Sequence, residues 1–297
     1  MDASKLPKIS IITPNFNGAK YLEQTILSVL NQNYPNLEYI IIDGESTDGS
    51  VEIIKKYESK LSYWVSEQDS GLYHAIQKGF DKSTGEIMAW INSDDMYAKG
   101  GFSIVSEVFL NFNQVNWLVG IPSAYDEKGR TIRIDNFKRW SKFNYYTNDF
   151  KWIQQESVFW RRCLWEKAGS KVSTNLKYAG DFELWLRFFR YEKLYTLQSL
   201  LSGFRIRSSN QLSLEFMDDY LKEVDNLLQN EVAYKISQKD KKVVEKILKY
   251  KKIGDKSHHL IRFFTNYNLK LIIKKHYNYP KLLVFDRIKQ CFKFSSN

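Results

Sequence analysis

The turn Asn92-Ser93-Asp94-Asp95 follows the apolar run Ile87–Ile91 and so places two carboxylates at the end of a buried strand. Oxygen ligands of this kind suit hard divalent cations, Mg²⁺ or Mn²⁺, which take one or two protein carboxylates and complete their shell with substrate phosphates. The same residues also fit an Asx turn leading into a helix, and the turn alone does not choose between the two. Three more polar clusters end apolar runs: Thr13-Pro14-Asn15-Phe16-Asn17-Gly18, Asp43-Gly44-Glu45-Ser46-Thr47-Asp48-Gly49-Ser50, and Ser66-Glu67-Gln68-Asp69-Ser70-Gly71. Acidic residues dominate three of the four clusters, so a polyphosphate bound there needs a divalent cation beside it. Asp43 can accept hydrogen bonds from a ribose or a base N–H, or can simply form the turn. Asp181, in Ala179-Gly180-Asp181-Phe182-Glu183-Leu184-Trp185-Leu186-Arg187, precedes an aromatic-rich helix. Lost solvation there fits a carboxylate for general-base work, and an N-cap is the competing role.

The elements that position these clusters alternate. Residues 9–13 read as a first strand, and Tyr21, Leu22, Thr25, Ile26, Val29 and Leu30 recur at helical spacing. Leu37–Ile42 is a second strand. Asp48 is placed to cap a helix whose buried stripe is Val51, Ile54 and Tyr57. A strand at Tyr63–Val65, a helix at Leu72–Phe80 and a strand at Ile87–Ile91 follow. Four strand–helix alternations in under a hundred residues predict a mostly parallel sheet covered on both faces. In such a sheet, ligands sit at the carboxyl ends of the strands. Further on, Phe102–Phe112 reads as a helix, Trp117–Ile121 as a strand and 125–155 as irregular. Val158–Ala168 and Phe182–Tyr191 read as helices, and Leu194–Phe204 closes the sheet region. After Gln211 the pattern is helical and lysine-rich without alternating strands, giving a boundary near 215 between a body (1–215) and a C-terminal region (216–297).

Composition removes several classes. The 297 residues are 43% apolar, enough for a closed core. No run of about 18 apolar residues exists to span a bilayer. Met1–Lys8 has no signal-peptide core, so a cytoplasmic protein is expected. Cys163 and Cys291 lie far apart and read as two reduced thiols. Gly44–Gly49 has the glycine spacing of a phosphate loop, but Ser50 stands where that motif needs lysine. No Gly-x-Gly supports a dinucleotide site. His258 and His259 lack neighbouring carboxylates or thiols. Charge is uneven: residues 238–297 hold 16 Lys and Arg against 4 Asp and Glu, or +12 in a chain of +10, so residues 1–237 sum to −2. The basic end suits an anionic membrane face, nucleic acid or an acidic partner.

Taken together, the ordered segments resemble family 2 of the inverting glycosyltransferases, which have the GT-A fold. The resemblance runs densely from residue 8 to 100 and more loosely to about 190. It is carried by Ile11–Asn17 with its helix Thr25–Gln32, Ile41–Ser50, Ser66–Tyr73 with Lys78-Gly79, Asn92–Asp95 and Asp181–Arg187. It implies that Thr13, Pro14, Asn15, Asn17, Asp43, Asp69, Asn92 and Ser93 border a nucleotide. It also implies that Asp94 and Asp95 hold Mn²⁺ or Mg²⁺, and that Asp181 deprotonates an acceptor hydroxyl. Trp152, Gln154, Gln155, Trp160 and Trp185 fall on the side implied for the acceptor, where aromatic faces suit sugar rings. The sequence departs from the family at three places. Asn92 replaces the first carboxylate of the usual Asp-x-Asp. Gly180 stands where many members have Glu. His74 and Gln77 replace common Asp and Asn.

The implied function is transfer of a sugar from a nucleotide-sugar donor to a saccharide or lipid-linked acceptor in surface-polysaccharide assembly. The basic end would then dock on the inner membrane face, and nucleic acid is not the expected partner. Two other classes compete. A sugar-nucleotide pyrophosphorylase needs a Gly-rich, Arg-containing loop after the first strand, where Pro14-Asn15-Phe16-Asn17 stands instead. A non-catalytic binding protein would act through the basic end, whose Phe263, Phe264, Tyr267, Tyr277 and Tyr279 interleave with Lys and Arg.

Overall fold

Strand and helix alternate as the apolar spacing predicts: β1 (Ile9–Asn15), α1 (Ala19–Leu30), β2 (Leu37–Asp43), α2 (Ser50–Tyr57), β3 (Tyr63–Ser66), α3 (Leu72–Lys82) and β4 (Ile87–Trp90). The structure is a computed structural model that describes residues 6–148, 153–208, 215–255 and 259–296. All seven residues of β1 are buried, which requires cover on both faces of the sheet. The β1, β2, β3 and β4 strands pair in parallel, and the register sets the functional edge. Asn15 lies opposite Asp43, Asp43 opposite Ser66, and Ile12 opposite Trp90. The polar clusters that end these strands therefore emerge side by side. Helix α3 packs directly on this edge of the sheet: a methyl added at Gly79 would lie 2.3 Å from Ile12 Cγ2.

The chain continues through β5 (Met96–Tyr97), α4 (Gly101–Asn111), β6 (Trp117–Val119), β7 (Ser123–Tyr125), β8 (Thr131–Ile134), α5 (Lys142–Tyr146), β9 (Val158–Arg161), α6 (Arg162–Lys167), α7 (Gly180–Tyr191), β10 (Tyr195–Thr196) and β11 (Ser202–Arg205). The main sheet has the order β10-β6-β9-β4-β1-β2-β3, and a smaller one has β5-β11-β7-β8. Two expectations change here. Val158–Ala168 is not one helix. Val158, Phe159 and Trp160 are fully buried in β9, antiparallel between β4 and β6, and only Arg162 onward turns helical. A short, continuous apolar run buried on both faces carries no period that separates strand from helix. Residues 125–155 are also more regular than expected, holding β8 and α5.

The C-terminal region forms α8 (Met217–Asn230), α9 (Gln238–Asp255) and α10 (His259–His276), then a hairpin of β12 (Leu283–Asp286) and β13 (Cys291–Phe294) that was not expected. Gln198 N–H donates to the Leu283 carbonyl at 2.8 Å, Phe292 N–H donates to Glu107, and the Phe294 ring meets Phe112. The hairpin is thus attached to the body beside β10 and α4. Asp48 does not cap α2 by itself. Gly49 holds the cap position at φ 96°, while the Asp48 carboxylate accepts from Ser50 and, at 2.9 Å, from Ala19 N–H at the start of α1. Ile54 is buried, whereas Val51 and Tyr57 are only partly so. Among the described residues no helix is long and apolar enough to cross a membrane.

Candidate active site

The carboxyl ends of β1, β2 and β4 floor a cleft of about 1580 Å³, walled by residues from the α7 region and by Arg207. That is larger than the several hundred Å³ of a usual small-molecule pocket and suits a large ligand or two. Pro14, Asn15 and Asn17 line it from β1, and Asp69 from the loop after β3. Asn92, Ser93 and Asp94 line it from the loop after β4, and Gln155, Asp181 and Trp185 also belong to its lining. Trp152 lies outside the described residues.

Thr13, Asp43 and Asp95 are buried and do not line the cleft. Thr13 shares a hydrogen bond with the Tyr39 hydroxyl at 3.0 Å. Asp43 is not positioned to read a base or ribose here, because its carboxylate accepts four internal hydrogen bonds. These come from Asn15 Nδ2 (2.6 Å), Ser46 Oγ (2.6 Å), Ser46 N–H (2.9 Å) and Ser66 Oγ (2.6 Å). An unpaired buried carboxylate would cost several kcal/mol, and these donors offset that cost while lacing the ends of β1, β2 and β3 together. Asn17 continues the lacing: its Oδ1 accepts from Thr47 N–H at 2.9 Å, and its own N–H donates to Ser46 Oγ at 2.8 Å. Asp69 accepts from Gly71 N–H at 2.7 Å, at the glycine that begins α3.

The acidic turn after β4 divides its two carboxylates. Asp94 faces the cleft with its side chain 20% exposed, 3.2 Å from Arg207 Nε. Burial raises the proton affinity of Asp94, and Arg207 opposes that rise. Asp95 faces inward. Its Oδ1 accepts from Arg205 N–H at 2.7 Å, and it shares a hydrogen bond with Glu156. Burial and the neighbouring Glu156 charge push the Asp95 carboxyl far upward, and burial pushes Glu156 up to about 7, so the pair holds a proton between them. The expectation of two metal-ligating aspartates therefore narrows to Asp94. The turn is held from both sides. Thr25 Oγ1 donates to the carbonyls of Ser93 (2.9 Å) and Asp95 (2.7 Å), and the buried Arg205 guanidinium donates to those of Asp94, Asp126 and Glu127.

No group of three or more His, Cys, Asp or Glu able to hold a metal exists among the described residues. The cleft still fits a hard cation of the kind that draws most of its oxygens from phosphates and water. Asp94 offers a carboxylate, and Asn92 Oδ1 on the same turn is buried without a hydrogen-bond partner among the described residues. The lining is also less one-sided than the strand ends suggest. Lys20, Arg133, Lys138, Lys177 and Arg207 join its carboxylates, and such cations favour a polyanion.

Asp181 sits in the first turn of α7, behind Ala179 at the cap position, and so does not serve as an N-cap. Burial pushes its carboxyl up to about 6, against the nearby backbone N–H groups and Tyr73, which favour the charged form. Tyr73 donates to the Tyr178 carbonyl at 2.7 Å and stands 3.5 Å from Asp181 Oδ1. Its ring also explains Gly180, since a Cβ there would lie 2.7 Å from ring carbons. The loop entering α7 is pinned by Glu223 of α8, whose carboxylate accepts from the N–H groups of Lys177, Tyr178 and Ala179 at 2.8–2.9 Å.

The aromatic residues expected on the acceptor side are mostly core. Trp160 is fully buried, and Trp185, 1% exposed, stacks on Trp90 with centroids 5.8 Å apart. Gln154 clamps Ser123 through both of its amide atoms. Sequence reasoning missed Glu156, Arg205, Arg207 and Glu223. The Arg205-Ile206-Arg207 pair, closing a strand in a nearly neutral body, was a usable signal. Glu223 gave none, since it reads as one more charge on a solvated helix.

A mostly parallel sheet with helices on both faces and a large polar cleft at its strand ends is the architecture of the GT-A fold. Residues 10–167, more than half of the chain, match the Glycosyl transferase family 2 model, and the chain belongs to that family. It is 26% identical over 222 residues to an uncharacterized glycosyltransferase of Rickettsia prowazekii, covering 72% of this chain and 69% of the relative. It is 34% identical over 167 residues to one from Haemophilus influenzae, covering 52% and 64%. Over 96 residues it is 38% identical to the putative teichuronic acid biosynthesis glycosyltransferase TuaG of Bacillus subtilis, covering 31% and 38%. Among solved structures, S. aureus TarS 1–349 in complex with UDP-GlcNAc superposes with a TM-score of 0.66 at 18% identity, covering 90% of this chain and 81% of that fragment. A Pyrobaculum calidifontis mannosyltransferase in complex with GDP-Man and Mn²⁺ gives 0.56 at 15%, covering 93% and 83%. At these identities the two structures speak to the fold alone.

Proposed function

We propose that the chain is a metal-assisted, inverting glycosyltransferase. It would move one sugar from a nucleoside diphosphate to a hydroxyl of a saccharide or lipid-linked acceptor in bacterial surface-polysaccharide assembly. One observation carries this reading: Asp94, from the turn after β4, and Asp181, from α7, line the same cleft above the laced ends of β1 and β2. Asp181, with a pKa near 6, is ionised at neutral pH yet basic enough to take a proton in the transition state. It would accept the acceptor hydroxyl's proton as that oxygen attacks the anomeric carbon. The bond to the diphosphate oxygen breaks on the opposite face, so one displacement inverts the configuration. Asp94, with Asn92 Oδ1 beside it, would hold Mg²⁺ or Mn²⁺, which supplies positive charge against the diphosphate. Arg207 adds a fixed cation at the same place. The teichuronic acid relative supports the polysaccharide context.

The test is hydrolysis and transfer with a panel of UDP- and GDP-sugars, with Mn²⁺ and with chelator. At least one donor should turn over at least tenfold faster with Mn²⁺. Indifference to every donor, with and without metal, would rule the reading out.

Membrane docking has its own observation. Helix α10 exposes Phe264, Tyr267 and Leu271 within one arc that also holds Lys270, Lys274 and Lys275, as interfacial helices do. At about 1 kcal/mol per lysine near an anionic surface, the triple change Lys270→Glu, Lys274→Glu, Lys275→Glu should abolish co-sedimentation with phosphatidylglycerol vesicles. Solution hydrolysis should stay unchanged. Equal sedimentation of both proteins removes the membrane from the reading.

A further inference from the structure

Asp181 is the second residue of α7, and residues 168–179 ahead of that helix form neither strand nor helix. Ala179, at the cap position, offers no side-chain acceptor, so the direction of the first turn depends on contacts from elsewhere. Three successive N–H groups there converge on one carboxylate, that of Glu223 in α8. Its Oε1 accepts from Lys177 at 2.9 Å, and its Oε2 accepts from Tyr178 at 2.9 Å and Ala179 at 2.8 Å. The peptide joining Tyr178 to Ala179 is held at both polar atoms, because its carbonyl accepts from the Tyr73 hydroxyl of α3 at 2.7 Å. A peptide gripped on both edges resists turning, and Gly180 and Asp181 follow it directly. Glu223 does not line the cleft, although Met217 and Tyr220 of the same helix do.

The C-terminal region grips α7 a second time. Glu231, 3% exposed, accepts from Arg190 Nε at 2.7 Å in the last turn of the helix. The two grips govern different things. Arg190 lies about 13 Å along the helix from Asp181 at 1.5 Å per residue, so Glu231 secures the helix as a body. Glu223 instead holds the backbone that leads into Asp181. We propose that Glu223 is a positioning residue for sugar transfer: through the N–H groups of residues 177–179 it aims the Asp181 carboxylate into the cleft. This rests on the glycosyltransferase reading above, with Asp181 as the base. Misplacing a reacting group by about 1 Å costs on the order of a hundredfold in rate, which sets the scale of the effect.

The experiment is a double-mutant cycle on the full chain, read as Mn²⁺-dependent hydrolysis of whichever of UDP-glucose, UDP-N-acetylglucosamine and GDP-mannose turns over. Glu223→Ala should lower kcat about tenfold to a hundredfold and leave KM for the donor within about twofold. In the Asp181→Asn background the same change should cost less than about twofold, because no base remains to be aimed. In Glu223→Gln the amide oxygen still accepts from Tyr178 and Ala179, while Lys177 N–H loses its partner. That variant should lose about threefold to tenfold in kcat. Glu231→Gln is the control for a grip that only stabilises: its melting temperature should fall while kcat stays within about twofold of wild type. Equal losses from Glu223→Ala with and without Asp181 overturn the proposal, as does wild-type kcat in both Glu223 variants. If Glu223→Ala does not fold, the same cycle with Glu223→Gln decides. Full activity of Asp181→Asn alone would instead remove the base itself, a failure of the reading beneath this one that the cycle tells apart.

Discussion

Asp181→Asn should lower transfer by about a thousandfold, within the 10²–10⁴ range of a positioned general base, and leave donor affinity within about twofold. The change keeps the shape of the side chain and removes only its capacity to take a proton. The pH profile gives an independent signature. Burial raises the Asp181 carboxyl to about 6, and the base works only when ionised. Wild-type kcat/KM should therefore be level above neutrality and fall tenfold per pH unit well below 6. The residual rate of Asp181→Asn should not show that limb. Transfer by Asp181→Asn at the wild-type rate would remove Asp181 from the chemistry.

Asp94→Ala should lower donor turnover by about 10²–10³-fold, in the range found when one group that stabilises developing charge is removed. It should also abolish any acceleration by Mn²⁺. The informative contrast is Asp95→Asn. Asp95 is turned toward Glu156 and Arg205 and already shares a proton, so the amide should keep the metal response. Thermal stability should change little, because the amide oxygen can accept from Arg205 N–H while its NH₂ donates to Glu156. If Asp95→Asn loses the metal response and Asp94→Ala keeps it, the two aspartates have been assigned the wrong way round.

Much of the fold was legible because the first ninety residues carry their own periodicity. β1, β2 and β4 are apolar runs ended by polar turns, and α1 and α3 repeat at 3.6 residues. The antiparallel β9 was not legible: Val158-Phe159-Trp160 fits a buried strand and a buried helix equally. The site divides in a similar way. Asp94, Asp69 and Asn15 line the cleft because a parallel register aligns the ends of their strands. Asp43 and Asp95 occupy equally suggestive positions, yet their carboxylates turn inward to hold the loops. Local sequence gives the place of a side chain on a turn, whereas the partner that captures it comes from elsewhere. Ser66 and Asn15 capture Asp43, and Arg205, about 110 residues away, captures Asp95. Long-range partners also explain why Glu156 and Glu223 went unnoticed.

The grip of Glu223 on the three N–H groups ahead of Asp181 bears on how the protein is made. While the ribosome is still extending the chain, the sheet, the acidic turn and α7 can all emerge before residue 223 does. Until it arrives, the peptide groups of Lys177, Tyr178 and Ala179 lack their clamp. A nascent chain at that stage holds the lining residues of the cleft with the loop before Asp181 not yet fixed. The loop before Asp181 is therefore fixed late in synthesis, by a glutamate that does not itself line the cleft.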